Sequence, residues 1–321
     1  MIQQYDLPLE ELREYKPRPT KQPDFDGFWL KTLEELAAVP VEYRLTPYPG
    51  YPARGIKVYE ISFSGYNNAH ICGYLALPDS PGPHPGLVTY HGYNWGAEGN
   101  VHDAANWALH GYATLHMLVR GQQGGSTDNV TASHGHTAGW MSKGILSPEE
   151  YYYRAVYMDA VRAVEVLASM EEVDGSRIGV TGGSQGGGLT LAAAALSRIP
   201  RVAVADYPYL SDFNRAIDIT PQGPYNELNE FFRRYSSPEI ESKARTTLTY
   251  FDMINLAPRI QCHTLITVGL VDEITPPSTI FAAYNHLECP KEILVFRYFG
   301  HEHIPAAVEP KLRTLMTYLQ E

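Results

Sequence analysis

The stretch Thr181-Gly182-Gly183-Ser184-Gln185-Gly186-Gly187-Gly188 decides how the rest of this sequence is interpreted. It contains a G-x-S-x-G pattern, preceded by a short apolar β-like run at 177–180 and followed by an alanine-rich, helix-forming run at 189–195. A tight glycine-rich turn from a buried strand into a helix, with one serine at its apex, is typical of a nucleophile elbow. The turn is so sharp that only residues without a Cβ fit beside the serine.

Two other structures could produce the same pattern. Glycine accounts for 27 of the 321 residues, so the five letters alone are a weak signal, and a turn that packs a helix against a strand would look similar. A phosphate-binding loop would end in Gly-Lys-Ser/Thr, which is absent from this stretch. The flanking strand and helix favour Ser184 as a nucleophile. They also put the main-chain N–H of Gln185 at a helix N-terminus, where developing negative charge is stabilised.

Composition and charge exclude several classes of protein. Of the 321 residues, 44% are hydrophobic and 19% are charged, as in a globular protein of one large or two modest domains. The net charge of −11 argues against nucleic acid and anionic membranes as partners, because both attract basic surfaces. The three cysteines provide neither a disulfide framework nor a paired metal site.

The sequence shows no targeting or membrane-spanning pattern. Its N-terminus is polar and lacks the charged and then apolar segments of a signal peptide. No apolar run approaches the ~18 residues that would span a bilayer. We therefore expect a cytoplasmic protein.

The N-terminal part of the chain predicts one helix and then a small antiparallel unit. Residues 1–40 form a polar extension with a helix capped by Asp24, whose apolar face comprises Phe25, Phe28, Trp29, Leu33 and Leu36. Three strand-like runs separated by Pro and Gly turns follow, at 41–46, 56–63 and 71–77. Strands without helices between them predict an antiparallel edge of the sheet.

Beyond residue 85, strand-like runs alternate with helical sequence. The strand-like runs lie at 86–90, 112–119, 177–180, 202–205, 264–268 and 293–298. This alternation predicts an α/β fold with a mostly parallel central sheet and helices on both faces, in a single domain over 1–321.

Two long segments interrupt the alternation. Residues 121–148 are rich in Gly, Ser and His, and residues 207–256 carry nine Tyr and Phe side chains. Both follow the carboxyl ends of strands, where open α/β sheets bind ligands, so they are expected to shape a pocket. The second segment is predicted to be either a lid or a subunit interface.

A serine nucleophile needs a base to take its proton and an acid to orient that base. In this architecture the acid follows a late strand and the base follows the last one. Asp272 comes after the run at 264–268, and His301 comes after the run at 293–298. Their neighbours Glu273, Glu302 and His303 compete for the same roles.

A second donor for an oxyanion hole should come from the loop after an early strand. Tyr93, in Tyr90-His91-Gly92-Tyr93, is placed for this role, with its main-chain N–H acting beside that of Gln185. The alternative is a plain turn in which Tyr93 is an aromatic plug.

These residues carry a family resemblance that covers essentially the whole chain. The sequence resembles the carbohydrate esterase family of acetyl xylan esterases and cephalosporin C deacetylases. The matching pieces are Tyr90-His91-Gly92-Tyr93-Asn94, Arg120-Gly121-Gln122, Gly182-Gly183-Ser184-Gln185-Gly186, Asp272 and His301-Glu302. The segments 24–36 and 203–209 also look like that family.

The resemblance implies an α/β-hydrolase fold and a triad of Ser184, Asp272 and His301. It implies an oxyanion hole formed by the main-chain amides of Tyr93 and Gln185. It further implies deacetylation of short xylo-oligosaccharides and of cephalosporin C, with no metal and no cofactor.

The resemblance also implies an assembly and a structural motif. Members of the family form hexamers, as trimers of dimers, with active sites facing an inner cavity. The motif Arg120-Gly121-Gln122 is implied to brace the active-site region. A surface ion pair is the alternative role for Arg120.

Three other functions stay open from the sequence. The first is a metal-dependent hydrolase, because two H-x-H pairs, His134/His136 and His301/His303, have side chains that can ligate zinc. The second is a non-catalytic binding protein on the same fold. The third keeps the triad but cleaves other bonds, as a peptidase or a broader carboxylesterase.

Overall fold

One sheet organises the protein. The structure, a computed structural model, describes residues 6–95, 100–122, 124–137 and 139–320. The strands within these ranges are β1 (Tyr43–Pro47), β2 (Ile56–Ser64), β3 (His70–Pro78), β4 (His84–Tyr90), β5 (Ala113–Met117), β6 (Val173–Gly183), β7 (Val202–Asp206), β8 (His263–Gly269) and β9 (Lys291–Phe296).

The type of strand pairing changes once across the sheet, from antiparallel to parallel. Their spatial order is β1-β2-β3-β5-β4-β6-β7-β8-β9. The pairs from β1 to β5 are antiparallel, and those from β5 through β4 to β9 are parallel. The predicted fold class, a mostly parallel sheet with an antiparallel N-terminal edge, is confirmed.

Helices cover the sheet and fill the long connections. They are α1 (Leu9–Glu14), α2 (Phe25–Ala37), α3 (Asn100–Leu109), α4 (Tyr152–Ala168), α5 (Gln185–Ser197), α6 (Phe213–Ile219), α7 (Asn226–Tyr235), α8 (Pro238–Thr249), α9 (Met253–Leu256), α10 (Pro277–His286) and α11 (Val308–Leu319). Among the helices of the described ranges, none is both long enough and apolar enough to cross a lipid bilayer.

In the centre of the sheet both faces are buried, as the alternation of side chains along β7 shows. Val202 and Val204 pack in one cluster with Leu315 of α11. Ala203 and Ala205 belong to a second, larger cluster that includes residues of α4 and α5. Because successive side chains of a strand point to opposite faces, α11 lies on one side of the sheet and α4 and α5 on the other.

The helix predicted to follow Asp24 is present as α2, but the cap predicted for it is not. The Asp24 side chain makes no hydrogen bond to the first turn of the helix. Its Oδ1 instead accepts a hydrogen bond of 2.5 Å from the hydroxyl of Tyr250. Trp29, fully buried in α2, donates through Nε1 to the main-chain oxygen of Tyr250 at 3.0 Å. The cap was mispredicted because a distant partner, in the 207–256 segment, binds the carboxylate.

The two long segments differ in structure. Residues 207–256 contain the four helices α6 to α9, whereas the described residues of 121–148 form turns and bends. Both segments lie after the carboxyl ends of strands, β7 and β5 respectively. The assignment of 207–256 as a lid or a subunit interface stays a prediction.

Candidate active site

Ser184 occupies a strained turn between β6 and α5. Its backbone has φ +57° and ψ −120°, a conformation that few residues other than glycine adopt. Its N–H donates to the main-chain oxygen of Asp206 at 3.0 Å. A Cβ at Gly186 would lie 2.1 Å from the main-chain oxygen of Tyr90, so only glycine allows α5 to approach β4 this closely.

The three predicted triad residues lie within hydrogen-bonding distance of one another. Ser184 Oγ is 2.9 Å from His301 Nε2, and His301 Nδ1 is 2.9 Å from Asp272 Oδ2. Asp272 follows β8 and is fully buried, while His301 follows β9 and Ser184 is 7% exposed. This chain of contacts can pass the serine proton to the imidazole and stabilise the charge that forms on it.

Asp272 is held by more than the histidine. Its Oδ1 accepts the main-chain N–H groups of Ile274 at 2.8 Å and Thr275 at 2.9 Å, and its Oδ2 accepts the Thr275 hydroxyl at 2.8 Å. These donors fix the carboxylate plane and thereby the orientation of the imidazole.

The three neighbouring side chains that could have served as the acid or the base lie away from Ser184. Glu273 is exposed and accepts a bond from Gln222 at 3.2 Å. Glu302 is exposed and accepts the main-chain N–H of Gly300, and His303 is exposed. The structure thus brings Asp272 and His301 to Ser184, and leaves these three side chains outside.

A tyrosine next to the site was not identified as a site residue from the sequence. The ring of Tyr207 meets that of His301 edge-on, with 4.9 Å between ring centroids. Tyr207 has φ +32°, an unusual backbone for a bulky residue. Its position directly after β7, beside the elbow, is the signal that would have singled it out.

Tyr93 is anchored by its phenol at the meeting point of the two long segments. The phenol accepts the main-chain N–H of Trp140 at 2.6 Å and donates to the carboxylate of Glu227, with distances of 2.8 and 2.9 Å. Glu227 also accepts the N–H of Met141 at 3.1 Å, and burial raises the pKa of its carboxyl group. The main-chain N–H groups of Tyr93 and Gln185 donate to no group within the described ranges.

Gln122 connects the two predicted oxyanion donors. Its Oε1 accepts the main-chain N–H of Asn94, the neighbour of Tyr93, at 3.1 Å. Its side-chain amide also forms a reciprocal pair with that of Gln185, at 2.8 and 3.0 Å. Tyr153 adds a bond of 3.0 Å to Gln185 Oε1. One glutamine therefore braces both loops.

Arg120 is fully buried, so the alternative of a surface ion pair is wrong. It forms a bidentate ion pair with the buried Asp159, at 2.5 and 2.8 Å, and donates a hydrogen bond to the main-chain oxygen of Tyr66 at 2.9 Å. Burial alone would lower the pKa of Arg120, but Asp159 raises it, so the guanidinium stays charged. Gly121 follows with φ +69° and leaves no space for a Cβ beside the ring of Trp140.

His91 supports the same loop as a neutral side chain. Burial lowers the pKa of His91 to about 4. Its Nε2 accepts the N–H of Val119 at 2.9 Å, so its Nδ1 carries the proton and donates to the main-chain oxygen of Gly92 at 2.7 Å. The imidazole thus ties the loop before Tyr93 to the end of β5.

The histidine pairs considered for metal binding are not gathered into ligand sets. His134, His136 and His303 are exposed, and His301 is engaged with Ser184 and Asp272. Across the described ranges, no group of three or more His, Cys, Asp or Glu side chains is arranged to hold a metal ion.

Comparison with known proteins connects this site to one family. A family model described as "Acetyl xylan esterase (AXE1)" matches residues 2–319. Acetyl esterase Axe7A of Xylanibacter ruminicola is 29% identical over 284 residues, which cover 87% of this chain and 63% of that protein. This chain therefore spans less than two thirds of that relative's length.

Solved structures extend the comparison. The acetyl xylan esterase from Paenibacillus sp. R4 is 41% identical with a TM-score of 0.94, over 98% of this chain and all of that one. Acetyl xylan esterase 1 from Thermoanaerobacterium sp. JW/SL YS485 is 34% identical with a TM-score of 0.93, over 98% of this chain and 99% of that one. The α/β hydrolase GrgF from Penicillium sp. sh18, at 17% identity and a TM-score of 0.60, shares the fold alone. With its family model matched almost end to end, the chain belongs to the acetyl xylan esterase family.

Proposed function

We propose that this protein is a serine esterase that removes acetyl groups from acetylated xylo-oligosaccharides through an acetyl-serine intermediate. The observation that carries the proposal is the continuous contact from Ser184 Oγ through His301 to Asp272. Membership of the acetyl xylan esterase family and the names of the relatives support the acetyl group and the sugar.

The mechanism follows from the contacts. Ser184 Oγ attacks the acetyl carbonyl while His301 Nε2 takes the hydroxyl proton, and Asp272 holds the other ring nitrogen and stabilises the imidazolium. The main-chain N–H groups of Tyr93 and Gln185 hold the oxyanion. His301 then gives this proton to the sugar oxygen as the bond between that oxygen and the acetyl carbon breaks, so the sugar leaves as an alcohol and the acetyl group stays on Ser184. Water, activated by the same imidazole, attacks the acetyl-serine and releases acetate.

The direct test is Ser184→Ala. Hydrolysis of p-nitrophenyl acetate and acetate release from acetylated xylo-oligosaccharides should both fall by about 10⁴-fold or more, with an unchanged melting temperature. Activity near the wild-type value would refute the assignment of the nucleophile.

Acetyl preference and the range of alcohols need their own measurement. We propose that cephalosporin C is a second substrate, because the family resemblance includes its deacetylases. A series of p-nitrophenyl esters of increasing acyl length, with a peptide amide and cephalosporin C alongside, separates an acetyl esterase from a broader carboxylesterase or a peptidase. Activity that is retained in the presence of a metal chelator would support a triad that works without a metal ion.

We propose that the protein assembles as a hexamer, a trimer of dimers. The proposal rests on the family resemblance. Light scattering on the purified protein should give six times the subunit mass, and a mass of one subunit would refute it.

A further inference from the structure

A cavity of about 400 Å³ lies beside the nucleophile elbow. Its lining includes Gly182, Gly183 and Tyr207 at the elbow, together with Trp95, two residues in the first turn of α3 (Asn100 and Asp103) and Lys311 of α11. Ligand sites in proteins typically enclose about 300–1,000 Å³. The cavity is therefore large enough for a ligand group much bigger than acetyl.

Two residues of the cavity lining, Gly183 and Tyr207, are neighbours of the triad. Gly183 is the residue before Ser184, and the ring of Tyr207 lies edge-on to His301 at 4.9 Å. In the proposed mechanism His301 gives its proton to the departing alcohol, so the leaving group lies on the histidine side. The cavity, which Tyr207 also lines, is then placed for parts of the alcohol beyond the scissile bond.

Aromatic side chains in the cavity suit a sugar ring. Trp95 is 66% exposed, and its ring packs on Gly92, where a Cβ would come within 2.7 Å of it. Trp107 of α3 lies deeper in the same lining. Indole rings combine an apolar face with a polar N–H, so they fit surfaces that are partly apolar and partly wet, as the faces and edges of a pyranose are.

Several polar atoms of the lining have no partner among the residues that the structure describes. Asn100 Nδ2 and His116 Nε2 are buried and make no hydrogen bond within the described ranges, although the residues are only 6% and 1% exposed. Asp103 is exposed and forms no hydrogen bond or ion pair with any described residue. Buried polar atoms are nearly always paired, so the Asn100 and His116 nitrogens point to hydroxyl groups or water as their partners.

The charges of the lining favour a neutral ligand. Lys311 is already paired with Asp206, whose Oδ1 also accepts the Thr267 hydroxyl at 2.9 Å. The carboxylate of Asp103 is exposed and forms no ion pair with any described cation. An acidic sugar would be repelled by it, whereas an uncharged one offers donors to it.

We propose that this cavity is a glycosyl subsite that binds an uncharged pyranose unit next to the acetylated one, stacked on Trp95 and hydrogen-bonded to Asp103. This proposal rests on the proposed function, since it assigns part of the alcohol of the same ester. It makes the enzyme selective for oligosaccharides over single acetylated sugars.

Steady-state kinetics test the subsite with Trp95→Ala and Asp103→Leu. The ratio of kcat/KM for acetylated xylotriose to that for p-nitrophenyl acetate should fall at least tenfold in each variant. The matched control is Leu109→Ala, an exposed apolar residue at the other end of α3, which is 57% exposed. An unchanged ratio in both variants would overturn the proposal. A change in acyl-length preference without loss of the xylotriose advantage would assign the cavity to the acyl chain and would also overturn it.

Binding without turnover separates this proposal from the proposed function. Calorimetry with unacetylated xylotriose on Ser184→Ala should show binding that weakens at least tenfold when Trp95→Ala is added. Equal binding with and without the tryptophan would refute the subsite. Loss of esterase activity in Ser184→Ala would still uphold the nucleophile, so the two ideas can fail separately.

Discussion

The nucleophile elbow and the Tyr93 loop, which the proposed mechanism places around the same reacting carbonyl, are held in place differently. The elbow is held by its own glycines, which allow α5 to touch the main chain of β4. The Tyr93 loop is held by side chains from outside it: Glu227 accepts from the Tyr93 phenol, Gln122 accepts the main-chain N–H of Asn94, and the Trp140 indole donates to the Asn94 side chain. One half of the site is thus encoded locally, and the other half exists only once both long segments have folded.

The largest expected effect tests the local half. In Gly186→Ala the new Cβ would meet the main-chain oxygen of Tyr90 at 2.1 Å, and neither backbone can yield without moving Ser184 and Gln185. We expect kcat/KM for p-nitrophenyl acetate to fall by about 10³-fold, roughly 4 kcal/mol in the transition state.

The matched control for that prediction is Gly27→Ala in α2. A Cβ at Gly27 meets no atom within 4 Å, so this change should leave activity intact. Near-normal activity of Gly186→Ala would mean that the elbow is not fixed by contact with β4.

The next effect concerns the ion pair behind the Tyr93 loop. Arg120→Leu leaves the Asp159 carboxylate buried without its partner and should lower the free energy of unfolding by about 3 kcal/mol, measured in urea. Burial raises the pKa of Asp159. The native variant therefore binds a proton that the unfolded chain lacks, and the loss should be smaller at pH 5 than at pH 8.

Two comparison variants sharpen that measurement. Arg313→Leu breaks an ion pair with Glu309 whose two side chains are 68% and 78% exposed, and should have little effect. The double variant Arg120→Leu/Asp159→Leu should recover part of the stability, because no buried charge remains. If Arg120→Leu were no more harmful than Arg313→Leu, the buried pair would not brace the loop.

The smallest effect tests the distant half of the site directly. Glu227→Leu removes the acceptor of the Tyr93 phenol and should lower kcat about tenfold, roughly 1.4 kcal/mol, with little change in KM. Glu230→Leu, one turn further along α7 and exposed, is the control. Adding Tyr93→Phe to Glu227→Leu should cost less than the sum of the two single losses, since both changes break the hydrogen bond between Tyr93 and Glu227. Additive losses would contradict the idea that Glu227 acts through Tyr93.

This contrast also shows what could be predicted from the sequence. Ser184, Asp272 and His301 were identified because each follows a strand in an order that a linear pattern reveals. Trp140 and Glu227 lie in segments whose path to Tyr93 no local pattern describes. The failed cap at Asp24 has the same cause, because Tyr250 reaches its carboxylate from more than two hundred positions away. Short-range sterics can be inferred from neighbouring residues, whereas these hydrogen bonds depend on the tertiary fold.

The central claim is that His301 makes the hydroxyl of Ser184 nucleophilic. Mass spectrometry after treatment with diethyl p-nitrophenyl phosphate measures this directly. We predict one diethylphosphoryl group on the peptide that contains Ser184, no such group in Ser184→Ala, and labelling at least a hundredfold slower in His301→Ala. Labelling of another residue, or equally fast labelling of Ser184 without the imidazole, would contradict this claim.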